Sequence, residues 1–195
     1  MASVPRLSFS HFGMFVTDVA RMEDFYTRVL GFAVTDRGNL ETKGRNDPGT
    51  VHLVFLSRDP RDHHQIVLVT GRPEALKFNP INQISFRMDD LAGLRHMYRV
   101  LQQEQMKEIY PVSHGNALSV YFHDPEGNRI ELFIDTPWYC HQPVRMPLDL
   151  ALSDDELWRA VEAEARRQPD FKAIEQWRSE LARKMGTDPI FSNEK

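Results

Sequence analysis

An internal repeat constrains this chain more than any other feature. The stretch HFGMFVTDVARMEDFYTRVL, starting at His11, aligns without gaps on QISFRMDDLAGLRHMYRVLQ, starting at Gln83. Phe12 falls on Ile84, Met14 on Phe86, Val16 on Met88, Met22 on Leu94 and Val29 on Leu101. Asp18 falls on Asp90, and Tyr26 on Tyr98. Chance supplies apolar matches readily, but is less able to supply the shared Asp and Tyr. Each copy reads as a short alternating strand, an aspartate suited to cap a helix, and a helix with apolar residues at helical spacing. A supersecondary unit that occurs twice in one chain implies two equivalent modules.

Further strands follow each helix. In the first copy, Val51–Ser57 and Gln65–Thr70 flank a polar loop that contains His63. In the second, Leu118–His123 and Asn128–Asp135 flank the turn Asp124-Pro125-Glu126-Gly127. Pro presets φ at the second turn position, and Gly two places later tolerates positive φ. Strands near Phe32–Asp36 and Lys107–Val112 complete the copies. The fold expected is α+β: two βαβββ modules, about residues 8–70 and 80–136, within a domain spanning 1–136. The stretch Gly71–Asn79 reads as the joint between them.

After Thr136 the pattern changes. Pro137, Pro143 and Pro147 argue against a regular element, so 137–195 is expected to start irregularly and end in two helices. Ser153-Asp154-Asp155-Glu156 reads as a capping box, and a second helix is expected from Asp170 to Met185, stopping at Gly186. This extension is expected to pack its apolar face on the domain or on a second subunit. A lid with Trp138 and Tyr139 is the alternative.

Composition narrows the function classes. A formal net charge of −4 disfavours a nucleic-acid surface or polybasic membrane patch. No apolar run reaches the ~18 residues of a spanning helix. The start, Met1-Ala2-Ser3-Val4-Pro5-Arg6, lacks the features of a signal peptide. The single Cys140 has no internal disulfide partner, which suits a reducing compartment. A cytoplasmic location is expected, with no nucleic-acid or membrane partner.

The segment YFHDPEGNRIELF, from Tyr121 to Phe133, resembles the end of glyoxalase and extradiol-dioxygenase modules. HFGMFVTD with MEDFYTRVLGF resembles their opening strand and helix. The chain over about 8–136 therefore resembles the vicinal-oxygen-chelate superfamily, the group of glyoxalases, bleomycin-resistance proteins and extradiol dioxygenases. The resemblance implies that the two modules' sheets curl into a cup that holds a metal on inward side chains. Strand alternation bears on this separately. Phe12, Met14 and Val16 form one face, so His11 lies opposite; by the same argument Gln83, Tyr121 and Glu131 oppose the apolar residues of their strands. His11, Gln83 and Glu131 offer an imidazole, an amide oxygen and a carboxylate, a metal-capable set. Extradiol dioxygenases of the family carry a second His where this chain has Gln83, whereas some glyoxalases use Gln. His11, His64 and Glu131, with Gln83 beyond the ligands, is an alternative set.

The resemblance further implies roles for three residues. HHQIVLV places His64 as acid-base, and SHGNALSVYF places His114 and Tyr121 against substrate. Phe15, Val54 and Phe133 are candidates for an apolar wall. The leading expectation is ring cleavage of a catechol-like diol by Fe(II) and O2, in a homodimer. The alternatives are a glyoxalase- or epimerase-like isomerase or lyase using Zn, Mn, Ni or Co, and a metal-free small-molecule-binding protein of the resistance type.

Overall fold

The computed structural model describes residues 8–41, 49–73, 75–76 and 79–186. The Met1–Arg6 stretch, residues 74, 77 and 78 of the joint, and 187–195 lie outside the described residues. The chain divides into two compact units: Met1–Asn82 with Asp124–Asn128, and Gln83–His123 with Arg129–Lys195.

The first unit starts with β1 (Phe12–Val16), then α1 (Val19–Asp24), which continues in wider π-helical turns over Phe25–Val29. β2 (Ala33–Glu41), β3 (Thr50–Ser57) and β4 (Ile66–Thr70) complete a sheet of order β1-β4-β3-β2. β1 and β4 are parallel, and the other neighbours antiparallel. The expected N-cap is present: the Asp18 carboxylate accepts from the Arg21 N–H at 3.0 Å. Register puts Met14 beside Leu68 and Leu68 beside Val54, so these buried side chains share one face. Val54 is fully buried there and does not reach the opposite face, where the expected wall residue Phe15 is half exposed. Phe55, the next residue in β3, lies on that opposite face and packs against the His63 and His64 rings.

The Asp124–Asn128 turn belongs to this unit. Glu126 Oε1 accepts from the backbone N–H groups of Thr17 and Asp18 at 2.7 and 2.8 Å, and Arg72 pairs with its other oxygen at 3.3 Å. Asp124 accepts from the Glu126 and Asn128 N–H groups, both at 2.9 Å. Burial nevertheless pushes the Asp124 carboxyl up from its ordinary value. Gly127 has φ +82°, the conformation expected of it in the turn. Removing the Glu126 carboxylate orphans two N–H groups and takes the charge partner from the largely buried Arg72 guanidinium, which keeps only the Glu126 carbonyl. Glu126→Ala is therefore expected to cost about 2–4 kcal/mol in urea unfolding, with the m-value unchanged.

The second unit repeats the topology. β5 (Ile84–Arg87) leads into α2 (Leu91–Gln103), capped by Asp90, whose carboxylate accepts from the Gly93 N–H at 2.8 Å. β6 (Tyr110–Ser113), β7 (Ala117–His123) and β8 (Arg129–Asp135) follow. β5 lies parallel to β8, as β1 does to β4. Leu91, Leu94 and Leu101 of α2 are buried, as are Val120, Phe122, Ile130 and Leu132.

The extension is more regular than its prolines suggest. β9 (Trp138–Tyr139) pairs with β11 (Lys172–Ala173), and β10 (Met146–Pro147) joins the sheet, whose order is β10-β6-β7-β8-β5. Pro147 is tolerated because β10 is an edge strand, where a missing N–H costs no ladder bond. α3 (Asp154–Ala165) has the expected Ser153/Glu156 capping box. α4 (Ile174–Met185) ends at Gly186 with φ +67°, but starts later than Asp170. Asp170 has φ +60°, and the two residues before α4 are taken by β11. No helix among the described residues is long and apolar enough to cross a membrane.

Candidate functional site

In the second unit, sheet register assembles a row of polar side chains. Ser85 of β5 lies beside Glu131 of β8, Glu131 beside Tyr121 of β7, and Tyr121 beside Tyr110 of β6. Glu131 is only 7% exposed. Its Oε1 accepts from the Tyr121 hydroxyl at 2.6 Å and the Ser119 hydroxyl at 2.7 Å. Its Oε2 accepts from Gln83 Nε2 at 2.8 Å and Ser85 Oγ at 2.5 Å. A carboxylate has about four lone-pair sites, so these donors fill it. All four are uncharged. Three are hydroxyls, which rotate away from an oxygen without moving a heavy atom, and the amide of Gln83 presents its oxygen on flipping.

His114 lies in the loop between β6 and β7. Its Nδ1 is 2.7 Å from the Val144 carbonyl, which only accepts, so that nitrogen carries the ring proton. Its Nε2 is 3.0 Å from the Tyr121 hydroxyl and 3.8 Å from Glu131 Oε1. Tyr121 stacks on Tyr110 at 5.2 Å between ring centroids, with the Arg129 guanidinium over its own face at 5.8 Å. Burial, and then the neighbouring Glu131 carboxylate, push the Tyr121 phenol well up from its usual range. Tyr121 therefore acts here as a neutral donor. Phe133 lies on the Glu131 face, two residues along the strand.

In the first unit, His11 directly precedes β1, as Gln83 precedes β5. Its ring lies 4.2 Å from that of His64, centroid to centroid. His64 precedes β4 and does not lie in it: the strand begins at Ile66. Its Nδ1 is 2.9 Å from Nδ1 of His63, and both rings pack edge-on against Phe55. Burial, and then the adjacent His11 and His63, hold the His64 imidazole below its ordinary value.

Within the second unit, then, Gln83, His114, Tyr121 and Glu131 form one hydrogen-bonded group, and within the first, His11 and His64 meet. Among the described residues, no three His, Cys, Asp or Glu side chains are grouped as a ready metal site. Ser85 and Ser119 enter the group although sequence reasoning gave them no part. The signal was present: each lies two residues from Gln83 or Tyr121 on an alternating strand. Phe55 and the Val144 carbonyl had no comparable signal. Two further histidines take partners outside this group. His52 Nδ1 meets Asn39 Oδ1 at 2.9 Å, and His123 pairs with Glu108 at 3.2 Å.

Residues 8–132 match the family model described as Glyoxalase/Bleomycin resistance protein/Dioxygenase superfamily. Biphenyl-2,3-diol 1,2-dioxygenase 2 of Rhodococcus globerulus is 29% identical over 140 residues, which cover 69% of this chain and 65% of that protein. Metapyrocatechase of Pseudomonas sp. (strain CF600) is 28% identical over 140 residues, covering 70% of this chain and 42% of that protein. The chain thus spans less than two-thirds of either relative. The crystal structure of a glyoxylase/bleomycin resistance protein/dioxygenase domain from Frankia sp. EAN1pec superposes with a TM-score of 0.51 at 18% identity, over 69% of this chain and 100% of that one. That likeness is one of fold.

Proposed function

Because the chain belongs to the glyoxalase/bleomycin resistance protein/dioxygenase superfamily, we propose that it is a metal-dependent dioxygenase that opens the ring of a catechol-like diol with O2. One observation carries the reading: the buried Glu131 carboxylate, with Gln83, Tyr121 and His114 gathered around it. Its four hydrogen-bond donors are neutral, so the buried charge still favours a cation. The names of the two curated relatives support an aromatic diol as substrate.

His11, Gln83 and Glu131 are the ligands proposed. Their nitrogen and oxygen donors suit Fe(II), and Zn, Mn, Ni or Co accept the same types. When bound, such an ion supplies the Lewis acidity and, for iron, the redox chemistry of ring opening. The chain's own side chains do the rest. The Tyr121 hydroxyl and His114 orient the diol by hydrogen bonds. His64 takes a diol proton, and its lowered pKa keeps the imidazole in the neutral, proton-accepting form near neutral pH. Phe15 and Phe133 flank the aromatic ring. The working assembly proposed is a cytoplasmic homodimer.

Anaerobic loading with Fe(II), followed by catechol, alkylcatechols and 2,3-dihydroxybiphenyl in air, tests the reading. A yellow ring-opened product is expected from at least one diol. Iron-loaded protein that yellows none of them contradicts it. His11→Ala is expected to weaken metal uptake by about a hundredfold or more, measured by equilibrium dialysis. Gln83 beside Glu131 favours a second reading, an isomerase of the glyoxalase kind. Turnover of a hemithioacetal by the Ni- or Zn-loaded protein, with no diol cleaved, would select it. A metal-free binding protein would show neither metal uptake nor a His11→Ala effect.

A further inference from the structure

The loop carrying His114 is held by the C-terminal extension at several points. The Trp138 indole N–H donates to the Gly115 carbonyl at 2.7 Å, and the Thr136 hydroxyl donates to the same oxygen at 3.0 Å. The Val144 carbonyl accepts from His114 Nδ1 at 2.7 Å. Gln142 ties both partners of that last bond together. Its Nε2 donates to the His114 carbonyl at 2.8 Å, and its Oε1 accepts from the Val144 N–H at 3.1 Å. The side-chain amide therefore closes a ring in which the backbone of His114, the backbone of Val144 and the imidazole are mutually fixed.

We infer that Gln142 is a positioning residue for His114: it holds the Val144 carbonyl against Nδ1, so that the ring keeps a proton on Nδ1 and its Nε2 edge turned to Tyr121, whose single hydroxyl proton serves either Nε2 or Glu131 Oε1. The bond it braces matters because a neutral imidazole has two tautomers, and the partner of one nitrogen decides which is populated. Without the brace, Thr136 and Trp138 still hold Gly115, but Val144 is no longer tied to the His114 carbonyl. The Val144 carbonyl then drifts off Nδ1, and only the Tyr121 side of the ring is left to set the tautomer. The extension is in this sense part of the site's construction as well as packing. This extends the proposed diol-binding role of His114, and its test does not depend on that role.

Gln142→Met keeps most of the side-chain volume and removes the hydrogen bonds to His114 and Val144, together with those to the Cys140 carbonyl and Sγ. The measurement is the 15N shift pair of the His114 ring, taken well above the ordinary histidine range so that the ring is neutral. Wild-type protein is expected to show the Nδ1–H form, and the variant a mixture enriched in Nε2–H. On any diol the wild type turns over, kcat is expected to fall about 10- to 100-fold with KM within about twofold. A residue that served stability alone would lower the melting temperature and leave the ring shifts unchanged, and that result overturns the inference. If Gln142→Met does not fold, Gln142→Glu applies the same test, since it keeps the acceptor for Val144 and loses the donor to His114. If no diol is cleaved at all, the shift pair still decides the positioning role, while the dioxygenase reading fails separately.

Discussion

Replacing Glu131 with Ala is expected to abolish stoichiometric metal binding and to reduce turnover by about a thousandfold or more. The stability effect is expected to be much smaller. The substitution removes a buried charge, which is favourable, but leaves the Tyr121, Ser119, Ser85 and Gln83 donors without their acceptor. Water entering the space, together with rotation of the hydroxyls, recovers part of that loss, leaving a net cost of about 1–3 kcal/mol. Metal content by elemental analysis and urea unfolding on the same preparation separate the two effects. A variant that unfolds outright would make Glu131 a structural residue. One that keeps full metal content would remove it from the ligand set.

The second large effect is expected at Gly115. This residue has φ +76°, a region that an ordinary side chain enters at a cost. A Cβ placed there would also run into Cys140 Sγ, which is itself fully buried. Cys140 cannot easily withdraw, because Gln142 and the pairing of β9 with β11 hold the segment on both sides. Strain and overpacking together give about 2–5 kcal/mol for Gly115→Ala, or roughly 5–15 °C in melting temperature. Cys140→Ala in the same chain should return part of that loss, since it removes the clash and leaves the φ strain. Failure of the double variant to recover any stability would mean that backbone strain alone sets the cost.

Much of the fold was legible because its signals are local and occur twice. Asp18 and Asp90 cap their helices with the same side-chain geometry, and Ser153 with Glu156 closes its box as the motif implies. The strand faces were also readable, because alternation needs no knowledge of partners. It assigned Gln83, Tyr121 and Glu131 to faces opposite the core, and the register of β5, β8 and β7 puts Ser85, Glu131 and Tyr121 side by side. Boundaries that depend on pairing were less readable. β2 runs on to Glu41 because β3 pairs with it along its whole length. β10 and β11 exist only because β6 and β9 offer them edges. Val54 was misassigned because a continuous apolar strand such as β3 does not announce which face meets the helix. His64 sits before its strand, where alternation says nothing about direction.

The bracing of His114 could not be read from sequence at all. It joins a loop residue to a segment about 30 positions later through a backbone carbonyl, which carries no residue-specific signal. The extension showed itself in sequence as two capped helices and three prolines, which describe a shape and not a contact. Long-range contacts of this kind determine whether a histidine is surface decoration or an oriented group.

His11, Gln83 and Glu131 are the proposed ligands of one ion that also takes the diol. Electron paramagnetic resonance of the nitric-oxide adduct of anaerobically Fe(II)-loaded protein tests it most directly. One high-spin signal per chain is predicted, changed in line shape by added catechol and lost in both His11→Ala and Glu131→Ala. A substoichiometric signal that ignores catechol and survives both substitutions would contradict it.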